Sequence, residues 1–167
     1  MIEASTIRTM TRADIDMIAE IEKSVFSDPW PKSAFHEMLA ESNRISLVLE
    51  MPDGRIGGYI LAQVAGDELQ IQNIAVAPEQ RRQQLGSRLL QCAEDEGRRR
   101  GAICSVLDVR ISNEAALGLY HRFGYRMIGR RKNYYRQPVC DALVLFRRLE
   151  SVSADGVKRE PDNGMVS

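Results

Sequence analysis

The chain has 167 residues, enough for one hydrophobic core. Hydrophobic residues make up 44% and charged residues 28%, which excludes a disordered or fibrous body. Lysine plus arginine and aspartate plus glutamate each number 23, and zero net charge argues against a dedicated nucleic-acid binder.

In chain order, a strand is expected over residues 5–10, then Thr11 as an N-cap with Asp14 three residues on, the pattern of a capping box. Ile15, Ile18, Ile21 and Val25 recur at helical spacing until Asp28-Pro29-Trp30-Pro31 stops the helix. Pro31 suits the first turn of a second helix over 32–41, with Phe35, Met38 and Leu39 inward. Strands over 45–50 and 56–64 flank a hairpin turn with an Asp53-Gly54 signal, and a fourth strand spans 69–76. A helix opening at Leu85 carries Leu89, Ala93 and Gly97 on one stripe, ends in the cations Arg98-Arg99-Arg100 and stops at Gly101. Residues 103–109 read as a buried strand, Asn113 caps a last helix that Gly124 terminates, and strands over 125–130 and 142–149 follow.

This order predicts an α/β fold, with a mixed central sheet of about seven strands flanked by about four helices in a single domain over 1–150. From 151 to 167 the composition turns polar and a mobile tail is expected. Cys92, Cys104 and Cys140 are odd in number and set in apolar runs, so buried thiols in a reducing compartment are expected. His36 and His121 lack ligand-spaced partners, and no metal is expected. With no apparent signal peptide and no apolar run near the ~20 residues that span a bilayer, the expectation is a cytoplasmic protein without a membrane partner.

Between the fourth strand and the following helix lies Arg81-Arg82-Gln83-Gln84-Leu85-Gly86-Ser87. A strand that feeds a basic loop and a helix N-terminus is suited to hold phosphates, through unpaired amides and the positive end of the dipole. Neither a Walker loop nor a dinucleotide Gly-x-Gly-x-x-Gly is present. What remains resembles the pyrophosphate motif Gln/Arg-x-x-Gly-x-Gly/Ala of the GNAT acyltransferase superfamily. Asn73-Ile74-Ala75-Val76 is similar to that family's bulged fourth strand, and residues 113–125 to its N-x-x-A-x-x-L-Y-x-x-x-G-F segment.

The resemblance implies acetyl-CoA as co-substrate. Its pantetheine arm would lie between two splayed strands against Ile74, Ala75 and Val76, and its pyrophosphate on Arg81, Arg82, Gln83, Gln84, Leu85, Gly86 and Ser87, with Asn113 also in contact. Gln84 stands where the family has its first loop glycine, a position that favours φ > 0 and close backbone approach. Arg130-Arg131-Lys132-Asn133-Tyr134-Tyr135 and Phe26-Ser27-Asp28-Pro29-Trp30 resemble the ribosomal protein alanine N-acetyltransferases, with Lys132 inserted and the spacing to Trp30 lengthened. That likeness implies a protein N-terminus as acceptor, with Trp30, Tyr134 and Tyr135 lining its groove. Direct nucleic-acid contact is not expected, on the zero net charge.

Acetyl transfer to an amine needs an uncharged nucleophile, oxyanion stabilisation and a proton for the leaving thiolate. An α-amine of pKa about 7.7–8.0 needs only a modest base, whereas lysine is near 10.4. The related enzymes place a Glu in a Leu-Glu-Val-Arg strand; here Asp108 takes that position, reaching roughly 1.5 Å less far and suited to act through water. Glu68, at the start of the fourth strand, is a second candidate base. Tyr120 is the candidate acid, because a phenol stays protonated at neutral pH; packing on the inward face of its helix is the alternative role. A small-amine acetyltransferase and a non-catalytic CoA-binding module are the competing functions.

Overall fold

The computed structural model describes residues 5–81 and 83–149. The expected tail at 151–167 and Arg82 lie outside the described residues. Seven strands, β1 (Thr6–Thr9), β2 (Arg44–Glu50), β3 (Ile56–Ala65), β4 (Glu68–Val76), β5 (Cys104–Arg110), β6 (Arg126–Tyr135) and β7 (Cys140–Arg148), form one sheet in the order β1-β2-β3-β4-β5-β7-β6. Helices α1 (Ile15–Val25) and α2 (Lys32–Leu39) cover one face; α3 (Leu85–Arg99) and α4 (Glu114–Arg122) cover the other. All neighbours pair antiparallel except β4 with β5, the parallel pair that needs the α3 crossover. No helix among the described residues is long and apolar enough to cross a membrane.

Local chemistry explains the boundaries. Thr11 and Asp14 form the capping box at a 3₁₀ turn (Arg12–Asp14), and the Arg8 guanidinium holds both Asp14 oxygens at 2.8 Å. That guanidinium keeps the Asp14 carboxyl below its ordinary value. Pro31 is the N-cap of α2, one position earlier than expected, and α2 stops at Leu39 instead of 41. Gly58 permits close packing of β3 on β4, since a Cβ there would sit 2.9 Å from the Ala75 carbonyl oxygen.

Three further expectations change. The strand expected to be buried from residue 103 begins at Cys104, because Ile103, 60% exposed, bonds through its amide to Asp67 and through its carbonyl to Leu149 at the sheet's rim. The strand expected over 125–130 starts one residue later and runs to Tyr135, while Tyr125 is buried beneath it with its hydroxyl donating to Ser105 Oγ at 2.7 Å. The cysteines are half-buried, since each sits at a helix flank or strand end where the core does not close over it.

The core beneath α3 encloses one ion. Glu94 is 0% exposed, and one Arg147 guanidinium nitrogen donates to both its oxygens at 2.7 and 2.8 Å. Burial outweighs Arg147 and pushes the Glu94 carboxyl up to about 7 from an ordinary 4.5. The folded protein therefore keeps a proton that the unfolded chain has released across that window, so this group's contribution to stability falls as pH rises from 4.5 to about 7. Arg147→Ala takes from the carboxylate the guanidinium bonded to both its oxygens, with Arg98 remaining nearby. The expected loss is about 3–5 kcal/mol at about pH 8 and distinctly less at about pH 5.5, where Glu94 is neutral; urea denaturation at both pH values checks this, and an equal loss at both would contradict it.

Candidate active site

The site begins where two strands part. β4 pairs with β5 only from Glu68 opposite Cys104 to Ile71 opposite Leu107. Beyond that point β5 continues on β7 and β4 continues on β3, so Gln72 and Asp108 are the first residues past the fork. The register of β3 on β4 slips there as well: Leu61 faces Asn73 while Ala62 faces Ile71, leaving Gln72 as a bulge.

One extra residue reverses the facing of every side chain after it. Before the bulge Leu69 and Ile71 point into the α3 core; after it Ile74 and Val76 pack on that side, and Ala75 joins the α1 core. The backbone follows the same alternation. Ala77 N–H donates to Gly57 at 2.8 Å, so the Ala75 pair with Tyr59 is also the hydrogen-bonded kind and the amides and carbonyls of Ile74 and Val76 turn toward the open fork. Of the three strand residues singled out in the sequence, two offer free backbone groups; the groups of Ala75 are committed to β3.

The fork opens a cleft of about 840 Å³ that reaches both faces of the sheet. On the α3 and α4 side it is lined by Ile74, Asn113, Ala116 and Tyr120; on the α1 side by Glu22, Trp30, Glu68, Asp108, Arg131, Tyr134 and Tyr135. Asn113 spends its side-chain oxygen on the amide of Ala116 at 3.1 Å, capping α4. Tyr120 is 4% exposed, its ring meeting Tyr125 edge-on at 5.5 Å, and burial drives its phenol above the ordinary value. It stays a proton donor at any physiological pH.

Asp108 alternates with buried Leu107 and Val109, so its carboxylate faces the α1 side, where Arg131 Nε donates at 3.2 Å. Glu68 shares that face and accepts from Gln70 at 3.0 Å, but lies four strand positions away, roughly 13 Å from Asp108 along the sheet. Tyr135 stacks under the Arg110 guanidinium at 4.5 Å and Tyr134 lies 5.7 Å from that of Arg131. Burial, with Asp108 adding to it, pushes the Tyr135 phenol up to about 12. Lys132 is absorbed by a bulge: Arg131 faces Ala142 and Tyr135 faces Cys140, with Asn133 at φ 50 and its amide held by Asp141 at 2.9 Å. Trp30 packs on Phe35 at 5.9 Å at the rim.

At the other end of β4, Gln84 is the N-cap of α3 with φ 58 and ψ 26. The left-handed conformation that a glycine would supply is therefore kept by a side chain, which gives the helix no cap. Helix geometry leaves the amides of Leu85, Gly86 and Ser87 without intrahelical acceptors. Gly86 sits between Val76 and Leu119, at 3.8 and 3.5 Å from where its Cβ would be, which sets this amide cluster beside the cleft. Exposed Arg81 flanks it. A strand with free backbone groups, a cluster of open amides and a two-sided cleft together fit the shape and charge of acetyl-CoA.

Sequence reading missed Glu22. It is 1% exposed at the α1 end of the cleft and binds Tyr59, Asn73 and Trp30. The only signal was a carboxylate following buried Ile21 on the helix's inner face.

A model of the acetyltransferase (GNAT) family matches residues 15–125. The chain is 34% identical over 131 residues to the [ribosomal protein bS18]-alanine N-acetyltransferase of Escherichia coli K12, covering 78% of this chain and 87% of that one. It is 35% identical over 151 residues to the N-alpha-acetyltransferase RimI of Mycobacterium tuberculosis, covering 87% and 93%. The crystal structure of the ribosomal-protein-S18-alanine N-acetyltransferase from Escherichia coli superposes with a TM-score of 0.81 at 29% identity, over 93% of this chain and all of that one. With its sheet, its fork and its amide cluster in the same order as its sequence motifs, this chain belongs to the acetyltransferase (GNAT) family.

Proposed function

We propose that this acetyltransferase moves the acetyl group of acetyl-CoA onto the α-amine of a protein N-terminus, that of ribosomal protein bS18, in the cytoplasm. The observation that carries this reading is the two-sided fork between β4 and β5. An acyl donor bound from the α3 side and an amine bound from the α1 side meet in it, and the relatives named for bS18 supply the acceptor. Acetyl-CoA brings the acetyl group as an activated thioester.

The chain's own residues hold and move protons around that point. Backbone groups of Ile74 and Val76 align the pantetheine arm as an added strand, while the amides from Gln83 to Ser87, with Arg81 and Arg82, take the diphosphate. Asn113 anchors the α4 end. Asp108, through a water, accepts the proton of the incoming amine on the α1 side; Arg131 holds its carboxylate in place. Glu68 is too distant to do so without a longer water chain. Tyr120 gives a proton to the leaving thiolate on the α4 side. Trp30, Tyr134 and Tyr135 wall the acceptor groove.

Incubation with acetyl-CoA and peptides bearing the bS18 N-terminus is expected to add one acetyl at the α-amine by mass spectrometry; turnover of free polyamines alone would point to the small-amine activity instead. Tyr120→Phe is expected to lower kcat about 100-fold with acetyl-CoA affinity by calorimetry unchanged, and Asp108→Asn to cost a similar factor that Asp108→Glu restores. If Tyr120→Phe keeps full turnover, the phenol has no part in the reaction. At the diphosphate loop, Gln84→Gly is expected to relieve about 1 kcal/mol of left-handed strain and to leave or lower the KM for acetyl-CoA, whereas Gln84→Val is expected to raise it several-fold. A rise with glycine would show that the glutamine side chain itself binds.

A further inference from the structure

Glu22 is a buried carboxylate without a cation among the described residues. It lies in the last turns of α1, 1% exposed, yet forms part of the cleft wall. Its Oε1 accepts the backbone amide of Trp30 at 3.1 Å. Its Oε2 accepts the Tyr59 hydroxyl and, at 2.9 Å, the Asn73 side-chain amide. Tyr59 is fully buried on β3, and Asn73 is the residue directly after the Gln72 bulge.

Burying a carboxylate is costly, and here three neutral donors meet that cost. Each comes from a different element. Trp30 belongs to the segment between α1 and α2 that roofs the acceptor side of the cleft, whereas Tyr59 and Asn73 belong to the sheet floor at the fork. Ordinary apolar packing would secure α1 on the sheet, as Ile15, Ile18 and Ile21 already do. A charge aimed at the Trp30 amide does something that packing does not: it fixes the height of a loop above the bulge with directional bonds.

We propose that Glu22 is a positioning residue for the acetyl transfer: it ties the Trp30 segment to the bulged strand and so sets the width of the groove in which the acceptor N-terminus lies. The inference rests on the assignment of the α1 side to the acceptor. Glu22 touches no reacting atom. Its effect is exerted on acceptor binding and leaves acetyl-CoA, held from the α3 side, alone.

Trp30 is the single tryptophan of the chain, so its fluorescence reads the loop directly. In Glu22→Ala, acrylamide quenching of Trp30 is expected to rise about twofold with a red-shifted emission, and the acceptor-peptide KM to rise about tenfold, while the KM for acetyl-CoA stays within about twofold. Glu22→Gln keeps an oxygen for the Trp30 amide and is expected to recover most of both readouts. Tyr59→Phe removes one donor without leaving an unpaired charge. It is expected to move both readouts less, in the same direction, and serves where Glu22→Ala does not fold by circular dichroism. Unchanged quenching in a folded variant, or equal rises in both KM values, would overturn the proposal. If the wild-type protein acetylates no N-terminal peptide, the acceptor assignment fails, and the quenching comparison still decides whether Glu22 holds Trp30.

Discussion

The parting of β4 from β5 after four paired residues is the constraint on which the site depends. A parallel pair that stayed zipped would satisfy its own backbone groups and close the sheet. Here β5 instead takes β7 as its partner along its whole length, and β4 takes β3, so each strand remains anchored on one side when the other side opens. The cost is a row of amides and carbonyls on β4 left without strand partners among the described residues. Those groups are an edge inside the protein, and an extended ligand is the natural partner for an internal edge.

The bulge at Gln72 gives the opening its polarity. Because it reverses side-chain facing, the stretch that borders the fork sends Ile74 and Val76 toward α3 and Asn73 toward α1. Asp108 and Tyr120 are divided in the same way, one on the α1 side of the sheet and one on α4. Both side chains nevertheless line the one cleft that the fork opens. Burial then holds the Tyr120 phenol protonated, while Arg131 pairs with Asp108 on the opposite side.

Much of this architecture was legible in the sequence because local signals agreed with the global fold. Thr11 with Asp14, Asp53-Gly54, Gly101, Asn113 and Gly124 each marked a boundary through a cap or a turn, and the structure has those turns. Two of the misreadings share one physical cause, the sheet's rim. Ile103 is apolar, but its backbone meets Asp67 and Leu149 where no helix covers the strand, and β6 runs on as an edge strand through charged residues that carry no period-two pattern. Glu22 escaped for the opposite reason: its partners Trp30, Tyr59 and Asn73 are 8, 37 and 51 residues away, a separation at which no spacing rule operates.

The positions at which the sequence differs from the motifs it resembles, Gln84, Asp108 and Lys132, lie outside the buried core. Gln84 keeps a backbone conformation that favours glycine, and the helix start survives because φ, more than side-chain identity, sets the direction of the amides. Lys132 is taken up by a bulge whose left-handed Asn133 is one of the few residue types that tolerate that region, so Tyr134 and Tyr135 still reach the cleft. Asp108 is met by Arg131 from the same strand that carries Lys132. Asp108 on β5 and the bulge on β6 are therefore joined through Arg131 on one side of the cleft, so that a change at either position bears on the same wall.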